Sequence, residues 1–257
     1  MSMVVVITGA SAGIGEELAR KLAEQGHSLV LAARRLEALE QVAKRLPNAL
    51  AVATDVSRRG DVDRLRDAAI QAYGHVDVWV NNAGRGITRS VLDLTDEDFD
   101  EMMAVNVKSA LYGIQAIVPH FIERRSGHLI NVSSFLGRTP VAPRRSAYNA
   151  AKAALNALTT NLRMDLAATH PDIHVSLVMP ALVSTGFARN ALGDDGAPPP
   201  AASSTMGVQT PSDVANVIAR VIQHPAAETY TNPASPAAAK RFFDELGAFD
   251  PVQHTPR

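Results

Sequence analysis

Cysteine is missing from all 257 residues, which excludes disulfides, thiolate zinc sites and thiol nucleophiles together. Long hydrophobic runs are missing too, since no apolar stretch approaches the roughly 20 residues that a membrane-spanning helix needs. Charge of one sign is barely in excess. A formal net charge of -1 gives no electrostatic reason to expect nucleic acid or an anionic membrane as partner. The 8 histidines are scattered along the chain, and no metal centre is expected. The opening MSMVVVITGA enters its apolar run with no basic segment ahead of it and no convincing cleavage site, and a cytoplasmic location is the expectation. No repeat of solenoid period is present.

What the chain does have is apolar mass. With 46% hydrophobic residues it can bury one sizeable core, and a single domain over 1–257 is expected. Short β-branched runs alternate with longer amphipathic ones. MVVVITG (3–9) shows no polar alternation, as a strand of a parallel sheet covered on both faces should. Ile14, Leu18 and Leu22 then repeat at helical spacing, and Gly26 is placed to end that helix in the left-handed conformation. Further strands are expected at 28–33, 49–56, 76–84, 128–134, 174–180 and 228–231. Helices are expected at 35–46, within 58–73, from Thr95 onward, around Tyr148 and at 211–223, with a helical tail near 237–246. The βα alternation implies an α/β fold: a Rossmann-like, doubly wound parallel sheet of about seven strands with helices on both faces. Composition shifts only at 184–213, towards Gly, Pro, Ser and Ala. A variable substrate loop is expected at about 186–210, where Phe187, Leu192 and Met206 suggest an apolar pocket with a mobile cover.

TGASAGIG (8–15) lies between the first strand and the first helix, where a phosphate cradle belongs. Gly9 would allow a sharp turn, Gly13 a close approach of backbone amides to a pyrophosphate, and Gly15 close packing of helix on sheet. The helix N-terminus would add N–H donors and positive dipole. Sites for NAD usually end the second strand with an acid that holds the ribose 2′-OH. Here Ala33 stands in that place, followed by Arg34 and Arg35. A guanidinium matches a 2′-phosphate bidentately, so NADP(H) is favoured over NAD(H).

SAYNAAKAALNAL (146–158) sets a tyrosine and a lysine four positions apart on a wall of alanines. On a helix Tyr148 and Lys152 share one face. Either they are a chance pair on a core-facing helix, or an ammonium has been placed to act on a phenol.

The ordered set Thr8-Gly-Ala-Ser-Ala-Gly-Ile-Gly15, Asp55-Val56, Asn81-Asn-Ala-Gly84, Asn106, Ser134, Tyr148-x-x-x-Lys152 and Pro180 resembles the short-chain dehydrogenase/reductase family, in its short single-domain branch. The resemblance runs from about residue 4 to 185. It implies an oxidoreductase that uses NAD(P) to interconvert a carbonyl and a secondary alcohol. Reducing a ketone leaves an alkoxide that must be protonated as it forms. Tyrosine, with a pKa of ~10, can donate, and a nearby ammonium in a water-poor cleft favours return of its phenolate. Lys152 would therefore tune Tyr148, and the resemblance adds contacts from Lys152 to the nicotinamide ribose. Ser134, closing INVSS, would polarise the substrate carbonyl, with Ser133 as its competitor.

Asn106 interrupts an apolar stripe of Phe99, Met103, Ala110 and Ile117. The family role for it is to hold a water that relays protons to Lys152. By the same resemblance Ser11, Ile14, Asn82, Ala83 and Gly84 join the cofactor contacts. Asp55 and Val56 would meet the adenine, Val183 and Thr185 the carboxamide, and Pro180 joins the cofactor contacts. Ala181 departs from the family's more usual glycine after the proline. Partners implied are a small carbonyl or alcohol substrate of apolar character and further copies of this chain, as a homodimer or homotetramer. The other functions in view are a non-catalytic dinucleotide sensor or scaffold, and a 3-oxoacyl-thioester reductase.

Overall fold

The computed structural model of the protein describes residues 2–187, 190–193 and 207–245. Most of the expected 186–210 loop, Met206 included, therefore lies outside the described residues. Strands β1 (Val4–Thr8), β2 (Ser28–Ala33), β3 (Ala49–Ala53), β4 (Val78–Asn81), β5 (Gly127–Val132), β6 (Ile173–Met179) and β7 (Glu228–Tyr230) form one parallel sheet. Their order is β3-β2-β1-β4-β5-β6-β7, so the winding reverses between β1 and β4. That reversal opens a crevice at the carboxyl ends of the strands, where open α/β sheets bind ligands.

Successive residues of β1 enter different cores, which explains its lack of polar alternation. Val5 and Ile7 pack with Leu18 and Leu22 of α1 (Gly13–Glu24), Leu39 of α2 (Leu36–Ala43) and Ile218 of α7 (Pro211–Gln223). Val4 and Val6 face Leu65 of α3 (Arg59–Tyr73), Ile117 and Phe121 of α5 (Ser109–Arg124) and Leu166 of α6 (Ser146–Ala167). Gly26, at φ 81, ends the α1 segment as its position in the sequence suggested. A last helix, α8 (Ser235–Asp244), follows β7.

The long helix expected from Thr95 is not uniform. Thr95 caps α4 (Asp96–Met103) in a reciprocal box with Asp98, but a π-turn at Ala104–Lys108 intervenes before α5. Such a turn inserts a residue into the helical register and rotates the faces on either side. The predicted stripe is corrected accordingly: Phe99 is 44% exposed, whereas Met102, rather than Met103, is fully buried.

A buried polar chain crosses the centre of the sheet. Trp79 Nε1 donates to Asn81 Oδ1 (2.8 Å), Asn81 Nδ2 to Asn131 Oδ1 (2.9 Å), and Asn131 Nδ2 to Thr159 Oγ1 on α6 (2.9 Å). Each member is satisfied, so the chain ties α6 to the sheet at a fixed height without a stranded polar atom.

His128 makes acid stability testable. Ser176 Oγ donates to the Ala226 carbonyl (2.6 Å), so its contact with His128 Nε2 (2.8 Å) requires the imidazole to donate. Nδ1 then lies buried without a partner, and a second proton has nowhere to bond. Burial, with help from His174, lowers the His128 pKa to about 3. The unfolded chain protonates near 6.5 and the folded one does not, so stability is complete above pH ~6.5 and drains away as pH falls towards 3. By pH 4.5 the loss from this group is about 3 kcal/mol. Urea midpoints at pH 7 and 4.5 should fall much less in His128→Gln than in the parent, and equal falls would refute the assignment.

Candidate active site

The crevice begins at the end of β1. Gly9 turns the chain at φ 68, and a Cβ there would lie 2.9 Å from Ala83 Cα. Gly13, at φ 60, opens α1. A Cβ on Gly15 would stand 2.3 Å from the Gly9 carbonyl oxygen and 2.8 Å from Asn82 Nδ2. Gly15 thus admits the turn folding back over the helix start, rather than the helix-on-sheet packing expected of it.

Thr8, which opens the glycine motif but had no role of its own assigned from sequence, organises this turn. Its Oγ1 accepts from the backbone N–H groups of Asn82 and Ala83 (both 3.0 Å), while Asn82 Nδ2 donates to the Thr8 carbonyl (2.9 Å). The signal was a hydroxyl at the last position of an otherwise aliphatic strand. Ala12 gives α1 no side-chain cap. The first amides of the helix are therefore available to an anion, and Ser11 and Ile14 flank them half-buried. Thr185 borders the turn, its Cγ2 3.4 Å from where a Gly13 Cβ would be. A pyrophosphate fits this cradle.

At the end of β2, Ala33 is buried, and Arg34 and Arg35 are exposed. Among the described residues neither guanidinium has an ion-pair partner. Asp55 is spent on its own turn, accepting from Ser57 N (3.0 Å) and Oγ (2.7 Å). Burial raises the Asp55 carboxyl, but the Ser57 bonds and the Arg34 charge outweigh it and hold the group below its ordinary value. Val56 beside it is buried.

The other end of the crevice gathers the expected catalytic side chains. Ser133 Oγ donates to Asn156 Oδ1 (2.5 Å) and is fully engaged beneath α6. Ser134 accepts from Leu136 N (3.1 Å) and lies near enough to the Tyr148 phenol to pull its pKa down. Between the two serines, Ser134 is the one in the crevice. On α6, Ala147, Tyr148, Ala151, Lys152 and Leu155 form the inward face. Lys152 Nζ donates to the Val132 carbonyl (3.0 Å) and lies 5.8 Å from the Tyr148 ring centroid. A Cβ on Gly137 would fall 2.7 Å from the Lys152 backbone, so this glycine lets the 3₁₀ turn Phe135–Gly137 press against α6.

Asn106 sits inside the π-turn, buried. Its Nδ2 donates to the carbonyls of Arg85 (2.9 Å) and Met102 (3.1 Å), and its Oδ1 accepts from Arg85 N (3.2 Å). Both ends of the amide thus clamp the segment after β4. A Cβ on Gly84 would be 3.0 Å from Asn106 Oδ1 and 3.6 Å from Lys152 Nζ, which places the three side by side.

Pro180 follows β6 and its carbonyl accepts from Phe135 N (2.8 Å). Val183 bridges to Gln209. Ala181 is not among the positive-φ residues, so the path from 180 to 185 does not need the glycine it lacks. Phe187 packs edge-on against Tyr148, centroids 5.6 Å apart, and Ile87, Met102, Leu94, Leu136 and Leu192 complete an apolar wall.

Burial controls the electrostatics here. It raises the Tyr148 phenol above its ordinary value, with Ser134 and Arg145 pulling the other way. It lowers Lys152 to about 8. The direction for Tyr148 is opposite to the depression expected from Lys152, because a phenolate deep in protein loses more hydration than a distant ammonium restores. At neutral pH the pair is a protonated phenol above a charged ammonium.

Fold and site together define a doubly wound α/β protein with an anion cradle at one end of its crevice and a Ser–Tyr–Lys cluster at the other. The short chain dehydrogenase family matches residues 3–195, and the chain belongs to that family. An uncharacterized oxidoreductase of Staphylococcus epidermidis is 38% identical over 183 residues, 71% of this chain and 78% of that one. Two solved structures superpose closely. A short chain dehydrogenase/reductase of Burkholderia phymatum in complex with NAD gives a TM-score of 0.85 at 28% identity, over 100% of this chain and 96% of that one. An alcohol dehydrogenase of the archaeon Thermococcus sibiricus complexed with 5-hydroxy-NADP gives 0.79 at 27% identity, over 91% and 98%. A nicotinamide dinucleotide is thereby supported as cofactor. No helix among the described residues is long and apolar enough to cross a membrane.

Proposed function

We propose that the protein is an NADP(H)-dependent oxidoreductase that interconverts a carbonyl and a secondary alcohol, with Tyr148 as the acid and base. The observation that carries this reading is the gathering of Ser134, Tyr148 and the buried Lys152 in one place, with Lys152 Nζ 5.8 Å from the Tyr148 ring centroid and Ser134 near enough to pull the phenol's pKa down. Bound nicotinamide supplies the hydride in one direction and takes it back in the other. Ser134 holds the substrate oxygen, and Tyr148 gives that oxygen a proton as negative charge develops on it. Lys152 stabilises the phenolate left behind until it is reprotonated, with Asn106 positioning the relay. The apolar wall around Phe187 excludes water and suits a substrate with a hydrocarbon body.

The amides at the start of α1, with Gly9, Ser11, Gly13, Ile14 and Gly15, would hold the pyrophosphate. Asp55, Val56 and 82–84 would line the adenosine, and Pro180, Val183 and Thr185 the carboxamide. The unpaired Arg34 and Arg35 suit a 2′-phosphate and support NADP(H) over NAD(H). Pairing of α5 and α6 across a two-fold axis would give a homodimer or homotetramer, and the cytoplasm is the proposed location. A sensor or scaffold has no use for Ser134, Tyr148, Lys152 and Asn106 held in one place.

The test is oxidation of NADPH and NADH over ketones, aldehydes, quinones and 3-oxo esters. Turnover of at least one class, faster with NADPH, is expected. Tight NADPH binding without turnover of any would establish the sensor instead.

A further inference from the structure

Arg85, Arg89 and Arg138 near the catalytic end of the crevice are neutralised. Arg85 pairs with Glu101, Arg89 with Asp98 at 2.9 Å, and Arg138 with Glu228 at 2.5 Å. Arg145 is the exception: it is half-buried, and among the described residues no carboxylate meets it. One Nη1 contact, to the Ile87 carbonyl at 3.2 Å, uses one of its five N–H donors. The guanidinium lies over Gly86, where a Cβ would be 3.2 Å from Nη1 and 2.8 Å from Phe187 Cε1. Phe187 in turn covers Tyr148, and the Arg145 charge is felt at that phenol. Arg145 therefore shares the pocket's rim with the side chain that touches the proposed acid.

The backbone that delivers it is strained. Arg144, immediately before, adopts φ 60, a left-handed conformation uncommon outside glycine. Strain of this kind persists where the surroundings enforce it, and it gathers at ligand sites. A half-desolvated cation with most of its donors unspent, beside an apolar wall, is matched by an anion that arrives with the substrate.

We propose that Arg145 is a specificity residue that binds a carboxylate on the substrate, so that the preferred substrates are oxo acids and the corresponding hydroxy acids with an apolar body. The proposal rests on the carbonyl–alcohol reading above. The planar fork of the guanidinium takes both carboxylate oxygens while Ser134 and Tyr148 address the carbonyl or hydroxyl oxygen.

The experiment compares 2-, 3- and 4-hydroxyhexanoate with their methyl esters, using NADP⁺ and following NADPH formation. In the unaltered protein at least one acid should exceed its ester at least tenfold in kcat/KM. In Arg145→Gln that acid should lose at least ten times more than its ester, mainly through KM, and Arg145→Lys should recover part of the difference. Acids and esters used equally well would overturn the carboxylate assignment and leave the carbonyl–alcohol reading standing. Equal losses of both in Arg145→Gln would reduce Arg145 to a tether for Ile87. No turnover of any acid or ester, here and across the neutral carbonyl panel, would overturn both.

Discussion

Tyr148→Phe should lower kcat by about 1,000-fold while leaving NADPH binding within a few-fold of the parent. Phenylalanine keeps the ring that meets Phe187, so the packing around 147–152 has no reason to change. What disappears is the hydroxyl beside Ser134. General acid–base catalysis accounts for roughly 10²–10⁴ in rate, and a factor of 1,000 corresponds to about 4 kcal/mol of transition-state stabilisation. The loss belongs in kcat, because the proton moves only as the oxygen becomes charged. Steady-state kinetics with fluorescence titration of NADPH separates the two effects. Full activity in the variant would show that another group donates the proton. Reduction should also decline as pH rises through about 8, where the buried Lys152 gives up its charge. The phenol, pushed upward by burial, keeps its proton in that range.

The second large effect concerns the cofactor. Replacing both Arg34 and Arg35 by glutamine should cost NADPH about 100-fold more in kcat/KM than NADH. Hydrogen bonds to a charged group are worth roughly 1.5–3 kcal/mol each, and NADH has no 2′-phosphate to lose them with. Both arginines are exposed, so the double variant should melt where the parent does. A parent protein that already prefers NADH would sink this argument while leaving the Tyr148 chemistry intact.

Most of the framework was open to inspection in the linear chain. Unbroken aliphatic runs such as Val4–Ile7, separated by helical spacing of leucines, identify strands buried on both faces, and the order of turns and helices then follows from right-handed crossovers. The TGASAGIG turn and the Tyr148–Lys152 pair were legible because each depends on neighbours within a few residues. The π-turn was not. Nothing local to Ala104–Lys108 distinguishes it, and it exists because the Asn106 amide is captured by the backbone of Arg85. The role of Thr8 was hidden for a related reason: its hydroxyl serves Asn82 and Ala83, far along the chain.

The sequence by itself determined what repeats at short range: the alternation of strand and helix, the glycines a tight turn demands, and the phenol one helical turn from an ammonium. Tertiary structure decided which of two adjacent serines meets Tyr148, which arginines remain unpaired, and which way the phenol's proton affinity moves. Those outcomes depend on burial and on partners that only folding brings near. Desolvation belongs to a place in the folded protein, and no spacing along a chain encodes it.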